Sequence, residues 1–254
     1  MGAAGADKGV GRYAAAHFAR EGAAAVVVVG PAARQAGAEE TKALVIQEGT
    51  ACLVLTGDVG DSAFCNSVVE ATIKEYGRID VLVNNAAEPY PISDIGQVDP
   101  ETLRKTFKTN IYSQIYMCRA AWPHLKRGSS IINASSLPAT GAADGGPPLL
   151  DAATTAGAVT SFSRALHMNA VSSGIRVNAV TPGPVMSPVG PAPAVASTSS
   201  SKQEADPEAA AVSAGPCFVF LAGQDSSYIS GQVLHTAGGG GMAGAAGMMM
   251  SVGA

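Results

Sequence analysis

The chain has 254 residues, enough for one α/β domain with a full hydrophobic core. Apolar residues make up 47% and charged residues 14%, which excludes a disordered or polyelectrolyte chain. The net charge of −4 argues against a nucleic-acid-binding surface, and the 30 glycines lack the G-X-Y period of collagen.

Helix-like and strand-like stretches alternate along the chain. Residues 11–21 place Tyr13, Ala14, His17 and Phe18 at helical spacing. Residues 24–29 are a continuous apolar run, which predicts a strand buried on both faces. Residues 36–48 read as a helix, with Leu44 and Val45 set against the polar Glu39, Glu40 and Lys42, and 52–56 as a strand. The amphipathic pattern over 61–76 runs through Phe64, Val68, Val69 and Ile73, with Asp61 or Ser62 as N-cap and Gly77 as its end. A short strand over 79–83 leads into Asn84-Asn85. One long helix is predicted over 100–122, a strand over 130–134 and a helix over 152–172 that Gly174 stops. A strand over 175–180 ends at Thr181-Pro182-Gly183. This alternation predicts βαβ units, right-handed crossovers and a doubly wound parallel sheet in a single domain over 1–237. Residues 184–201, rich in Pro, Ala and Ser, read as a loop, and 238–254 as a low-complexity tail.

The four cysteines (Cys52, Cys65, Cys118, Cys217) form no CxxC or Cys/His cluster, so no metal site is expected. They read as buried, reduced thiols of a cytoplasmic protein. The longest apolar run, 23–29, is too short to span a bilayer, so a soluble protein without membrane contact is expected. The histidines (His17, His124, His167, His235) lack metal-ligand spacing and read as packed or surface residues. Ser135-Ser136 sits in no G-x-S-x-G elbow, so a hydrolase triad is set aside. Trp122-Pro123 reads as a helix end, and the methionines at 248–250 as part of the tail.

Gly5-Ala6-Asp7-Lys8-Gly9-Val10-Gly11 opens the first helix. Three glycines allow a tight turn and close backbone approach to a pyrophosphate, and a helix N-terminus supplies free N–H groups and a positive dipole end. Taken alone, the motif reads equally well as a plain turn in a chain rich in Ala and Gly. Further along come Gly57-Asp58-Val59, Asn84-Asn85-Ala86-Ala87, Asn110, Ile131-Ile132-Asn133-Ala134-Ser135-Ser136 and Asn178-Ala179-Val180-Thr181-Pro182-Gly183. In this order and over nearly the whole chain, they resemble the motifs of the short-chain dehydrogenase/reductase family. The family writes the first as T-G-x-x-x-G-x-G, where this chain has Ala4, and N-N-A-G where it has Ala87. Leu149-Leu150-Asp151, Pro207-Glu208 and the stretch from Ser226 to His235 are similar to its glucose/ribitol dehydrogenase-like branch.

The resemblance implies a Rossmann-type sheet and an NAD(P)-dependent oxidoreductase acting on sugars, polyols or small carbonyl compounds. It implies that Gly5, Lys8, Gly9, Val10, Gly11, Asp58, Val59, Asn84, Ala86, Pro182 and Gly183 hold the nicotinamide dinucleotide, with Ser136 and Asn110 in catalysis. It also implies a homo-oligomer, dimer or tetramer, paired through the helices near 100–122 and 152–172. Members preferring NAD carry an acid at the end of the second strand. Here that strand ends Val28-Val29-Gly30, while Lys8 and Arg34 stand nearby, so NADP is favoured and NAD remains possible.

Two departures stand out. The family's proton donor and its activator form Tyr-x-x-x-Lys on one helix, where the ammonium lowers the phenol's pKa from about 10. Aligned on Leu149-Leu150-Asp151, those positions are Ala152 and Ala156, and no Tyr-x-x-x-Lys occurs elsewhere in the chain. Neither Asp144 in its Gly-rich loop nor Thr154 and Thr155 supplies a comparable acid. The gap from Ser136 to Ala152 is also longer than the family's, which puts the aim of Ser136 in question. The second departure is at the start, where only Met1-Gly2-Ala3-Ala4 precede Gly5. The central first strand is therefore expected to be missing or truncated. Either strands two and four would pair directly, or coding sequence upstream is absent. Two functions follow as expectations: an NADP-dependent oxidoreductase with impaired catalysis, or a non-catalytic cofactor-sensing or partner-binding module.

Overall fold

The computed structural model describes residues 2–87, 94–135, 150–182 and 207–236. The loop at 184–201, the tail at 238–254, Ser136 and Gly183 lie outside them. Among the described residues, seven parallel strands form one sheet in the order β3-β2-β1-β4-β5-β6-β7. They are β1 (Gly2–Ala4), β2 (Ala25–Gly30), β3 (Ala51–Thr56), β4 (Val81–Asn84), β5 (Ser130–Ala134), β6 (Arg176–Pro182) and β7 (Val233–Thr236).

Strand β1 is three residues long yet central. Gly2, Ala3 and Ala4 pair with Val27, Val28 and Val29 on one side and with Leu82, Val83 and Asn84 on the other. The first strand, expected to be missing or truncated, is present as a short strand, and β2 and β4 do not pair directly. Its neighbours' main-chain groups would otherwise be buried without partners.

The helices are α1 (Gly9–Arg20), α2 (Gln35–Gln47), α3 (Ser62–Tyr76), α4 (Pro100–Phe107), α5 (Ser113–Ala121), α6 (Leu150–Ala170) and α7 (Pro207–Ala222). Alternate strand residues serve opposite layers. Val26, Val28, Val83, Ile132 and Val180 pack with α1, α2 and α7, whereas Val27, Val29, Leu82, Ile131 and Val177 pack with α3, α5 and α6. That period-2 division explains the unbroken apolar runs, since a sheet covered on both faces has no polar side. Asp61 caps α3 by accepting from the Ala63 N–H, and Gly77 ends it.

The long helix predicted over 100–122 is interrupted. Residues Lys108–Tyr112, Asn110 among them, form a π turn between α4 and α5, which inserts an extra residue into the helix. No helix among the described residues is long and apolar enough to cross a membrane.

All four cysteines are free thiols, but only Cys65 and Cys118 are buried, whereas Cys52 and Cys217 are half-buried. Burial pushes the Cys65 and Cys118 thiols up to about 12 and that of Cys52 to about 11. Because the thiolate is the reactive form, Cys65 and Cys118 are expected to resist alkylation in the native protein at pH 8. Both should label only on unfolding, as read by mass spectrometry; labelling of native Cys118 would contradict the packing of α5 on the sheet.

Candidate active site

The strand order reverses at β1 and β4, and a crevice for ligands forms outside the carboxyl ends of strands at such a point. The turn from β1 to α1 lies there. Gly5 has φ +75°, and a Cβ on it would stand 2.6 Å from Cα and N of Ala86. A Cβ on Gly11 would come within 2.2 Å of the Gly5 carbonyl oxygen. Asn85 Nδ2 donates to that same oxygen at 2.9 Å. The turn is thus folded onto α1 and fastened to the end of β4, a shape that only glycine permits at both positions. Lys8 occupies the N-cap of α1 without a capping side-chain bond, and the first turn carries no acid. Its N–H groups and positive dipole end suit an anion. Val10 is buried beneath.

Asp7, inside this turn, is 3% exposed, and its Oδ2 lies 3.1 Å from Nε of Arg34. Arg12 ties the turn to α2, its Nη2 donating to the carbonyl of Asp7 at 2.8 Å and to Oε2 of Glu40 at 2.7 Å. Arg34, expected near a 2′-phosphate, is therefore already in contact with an anion of the turn.

After β3, Asp58 Oδ2 accepts from Lys108 Nζ at 2.7 Å and Oδ1 from the Gly60 N–H at 2.8 Å. Burial alone would raise this carboxyl, but the two donors outweigh it and hold it below its ordinary value. Val59 beside it is buried.

The carboxamide of Asn84 is 1% exposed and committed to the sheet. Its Nδ2 donates to Asn133 Oδ1 at 2.9 Å and to Cys118 Sγ at 3.3 Å. Asn133 in turn donates to Ser163 Oγ at 2.9 Å. This chain crosses β4, β5 and α6 beneath the crevice, so Asn84 braces the floor, and its neighbours Asn85 and Ala86 meet the glycine turn.

At the far side, the π turn sets Asn110 against α6, with Nδ2 3.4 Å from Thr155 Oγ1. Thr155 itself donates to the Asp151 carbonyl at 2.9 Å. Ser135 Oγ donates to the carbonyl of Ala156 at 3.2 Å. Ala152 is half-buried and Ala156 buried on α6. Ala156 also lines a cavity of about 220 Å³ with Ala153, Gly157, Thr181 and Val233. Pro182, the last residue of β6, is buried at the same end. Gly5, Lys8, Gly9, Val10, Gly11, Asp58, Val59, Ala86, Asn110 and Pro182 thus gather at the carboxyl ends of the strands. Among the described residues, no group of His, Cys, Asp and Glu could hold a metal ion. Asp7, Asn85, Lys108 and Thr155 were not singled out as site residues from sequence. The one available signal was a charged Asp inside a glycine-rich turn.

A glycine-lined turn at a helix N-terminus, at the reversal point of a parallel sheet, defines a dinucleotide-binding α/β protein. The chain belongs to the short-chain dehydrogenase/reductase family of NAD(P)-dependent oxidoreductases: the family model described as enoyl-(acyl carrier protein) reductase matches residues 2–240. General stress protein 39 of Bacillus subtilis (strain 168) is 43% identical over 238 residues, spanning 92% of this chain and 82% of that one. The glucose and ribitol dehydrogenase of Daucus carota is 38% identical over 246 residues, again spanning 92% and 82%. Among solved structures, a short chain dehydrogenase from Burkholderia cenocepacia J2315 in complex with NADP superimposes with a TM-score of 0.82 at 23% identity. It covers 94% of this chain and 96% of that one, a likeness of fold.

Two substitutions probe this frame. Gly11→Ala is expected to destabilise by about 1–3 kcal/mol, since the new methyl meets main chain that must move; urea denaturation measures it. Asn133→Ala removes the acceptor of a buried amide and is expected to cost about 1–3 kcal/mol in the same assay. A neutral result in either case would contradict the packing described.

Proposed function

We propose that this protein binds NADP(H) in the crevice, as a member of its family related to reductases of sugars, polyols or small carbonyl compounds, and that its proton-transfer chemistry is impaired. The single observation carrying the second half is that α6 offers methyl groups, Ala152 and Ala156, at the family's Tyr and Lys positions.

The dinucleotide fits the residues present. Gly5, Gly9 and Gly11 have no side chains to bar a pyrophosphate, the N-terminus of α1 opens from the same turn with Lys8 at its N-cap, and Arg34 lies beside the turn in contact with Asp7. When bound, the nicotinamide exchanges hydride with a carbonyl carbon, so the chain must deliver a proton to the oxygen. Ser136 is proposed to bind that oxygen. Asn110, held against Thr155, is proposed to position a relay water. Neither supplies an acid, and losing positioned acid–base catalysis costs about 10²–10⁴ in rate. The lost lysine also removes a contact to the cofactor ribose.

Exposed Tyr112 and Ile115 near α5 and Met168 on α6 support pairing of these helices between copies. The free thiols support a reducing, cytoplasmic setting.

Titration with NADPH, followed by turnover assays on glucose, ribitol and an aliphatic aldehyde, tests the reading. The unaltered protein is expected to bind NADPH and turn over very slowly. The double variant Ala152→Tyr/Ala156→Lys is expected to gain about 10²-fold or more in kcat. Strong turnover by the unaltered chain would overturn the impairment. Absence of NADPH binding would overturn the cofactor assignment and favour a partner-binding module.

A further inference from the structure

Helix α6 turns one stripe of residues to the sheet, where Thr155, Val159 and Ser163 are buried. Ala153, Gly157, Thr160 and Arg164, spaced four, three and four apart, share a neighbouring face. On the sheet, Leu234 packs with the layer of α1 and α7, so Val233 and His235 turn towards α6. Between this second stripe and the ends of β6 and β7 lies the cavity of about 220 Å³. Sites for drug-sized ligands span roughly 300–1,000 Å³, so this one suits a smaller molecule. The cavity is apolar within and cationic at its mouth. Ala156 is 3% exposed and Thr181 1%, whereas Arg164 and His235 are exposed. Among the described residues, no carboxylate lines the cavity, and the side chains of Arg164 and His235 have no ion-pair or hydrogen-bond partner. At the inner wall, Thr181 Oγ1 is buried without a hydrogen-bond partner, a costly arrangement unless an occupant relieves it. Gly157 helps make the room: a Cβ on it would meet nothing within 4 Å, although glycine is a poor residue for a helix interior.

We propose that this cavity binds a small aliphatic carboxylate that carries a further oxygen, a hydroxy or oxo acid. Arg164 receives the carboxylate with its planar fork of donors. His235 adds an N–H donor, which an imidazole has in either protonation state. The aliphatic part lies against Ala153, Ala156 and Val233, and the second oxygen accepts from the Thr181 hydroxyl. Inorganic phosphate has no apolar body and would meet the mouth alone. The site stands apart from the dinucleotide reading. Among the described residues, none of the glycine turn lines it, nor do Asn110 and Ser135, so a ligand there leaves the β1–α1 turn open.

Isothermal titration calorimetry of the full chain with 4-hydroxybutyrate, at low ionic strength, tests this without turnover. The Kd is expected at about 1 mM or tighter, with 1,4-butanediol and inorganic phosphate each weaker by about tenfold or more. Arg164→Gln is expected to weaken 4-hydroxybutyrate by about tenfold or more, as for a lost charged contact. Gly157→Leu puts a side chain into the open space and improves the helix, so it is expected to abolish binding in a protein that circular dichroism shows to be folded. Adding NADPH first is expected to leave the isotherm unchanged. No heat with 4-hydroxybutyrate would overturn the site, as would binding that survives Gly157→Leu. Phosphate binding as tight as that of 4-hydroxybutyrate would reduce it to a cationic mouth and overturn the carboxylate assignment. Displacement by NADPH would make the cavity part of the crevice and overturn its independence.

Discussion

The glycine turn lies flat against the end of β4, and the rest of the molecule is arranged around that contact. Ala86 occupies the volume a side chain at Gly5 would need, and the Gly5 carbonyl occupies the volume needed at Gly11. Asn85 closes the contact with one hydrogen bond. This apposition keeps a three-residue β1 in register between two longer neighbours and aims the start of α1 over the crevice. A single added methyl on either glycine would pry the turn from the sheet, which is why the sequence has no latitude there.

Beneath the crevice runs a second constraint, polar rather than steric. Asn84, Asn133 and Ser163 form a buried hydrogen-bonded chain across β4, β5 and α6, and Gln114 Nε2 reaches from α5 to the carbonyl of Ala134 at 3.1 Å. Buried amides are costly unless paired, and here the amide nitrogens of Asn84 and Gln114 donate while their side-chain oxygens are buried without a hydrogen-bond partner. These bonds tie α5 and α6 to the strand ends beneath the crevice. Asn84 resembles a ligand-binding residue by motif, yet its carboxamide serves this floor.

How much of this was legible in the sequence depended on how strongly each segment is patterned. The run ending in Val26-Val27-Val28-Val29 and the caps of α3 are local signals, and the corresponding elements agree with the reading to within a residue or two. Gly2-Ala3-Ala4 carries no strand pattern, because its strand character comes from the two neighbours that pair with it. The π turn at Lys108–Tyr112 is likewise invisible in the helical spacing around it. Helix α7 has no amphipathic period to mark it in the sequence, being mostly apolar and interrupted by Pro216, although Phe218 and Leu221 are fully buried. At the site, glycine spacing located the cradle, but the pairing of Asp7 with Arg34 and of Asp58 with Lys108 joins residues 27 and 50 positions apart. No local spacing encodes such pairs.

The proposed loss of chemistry is compatible with an intact fold because the two reside in different parts of the molecule. Binding depends on main-chain N–H groups, glycines and charges at the β1–α1 turn. Proton transfer, on the proposed reading, would call on side chains at two positions of α6, 152 and 156. Alanine is the residue best suited to a helix interior, so methyls at positions 152 and 156 favour α6 rather than weaken it. Neither leaves a buried polar atom behind, whereas a half-removed Tyr/Lys pair would strand a charge in a site of low polarity. Both positions carry alanine, and Ala156 packs with 3% of its surface exposed. On the proposed reading, alanines at these two positions are therefore compatible with a stable frame that presents a dinucleotide.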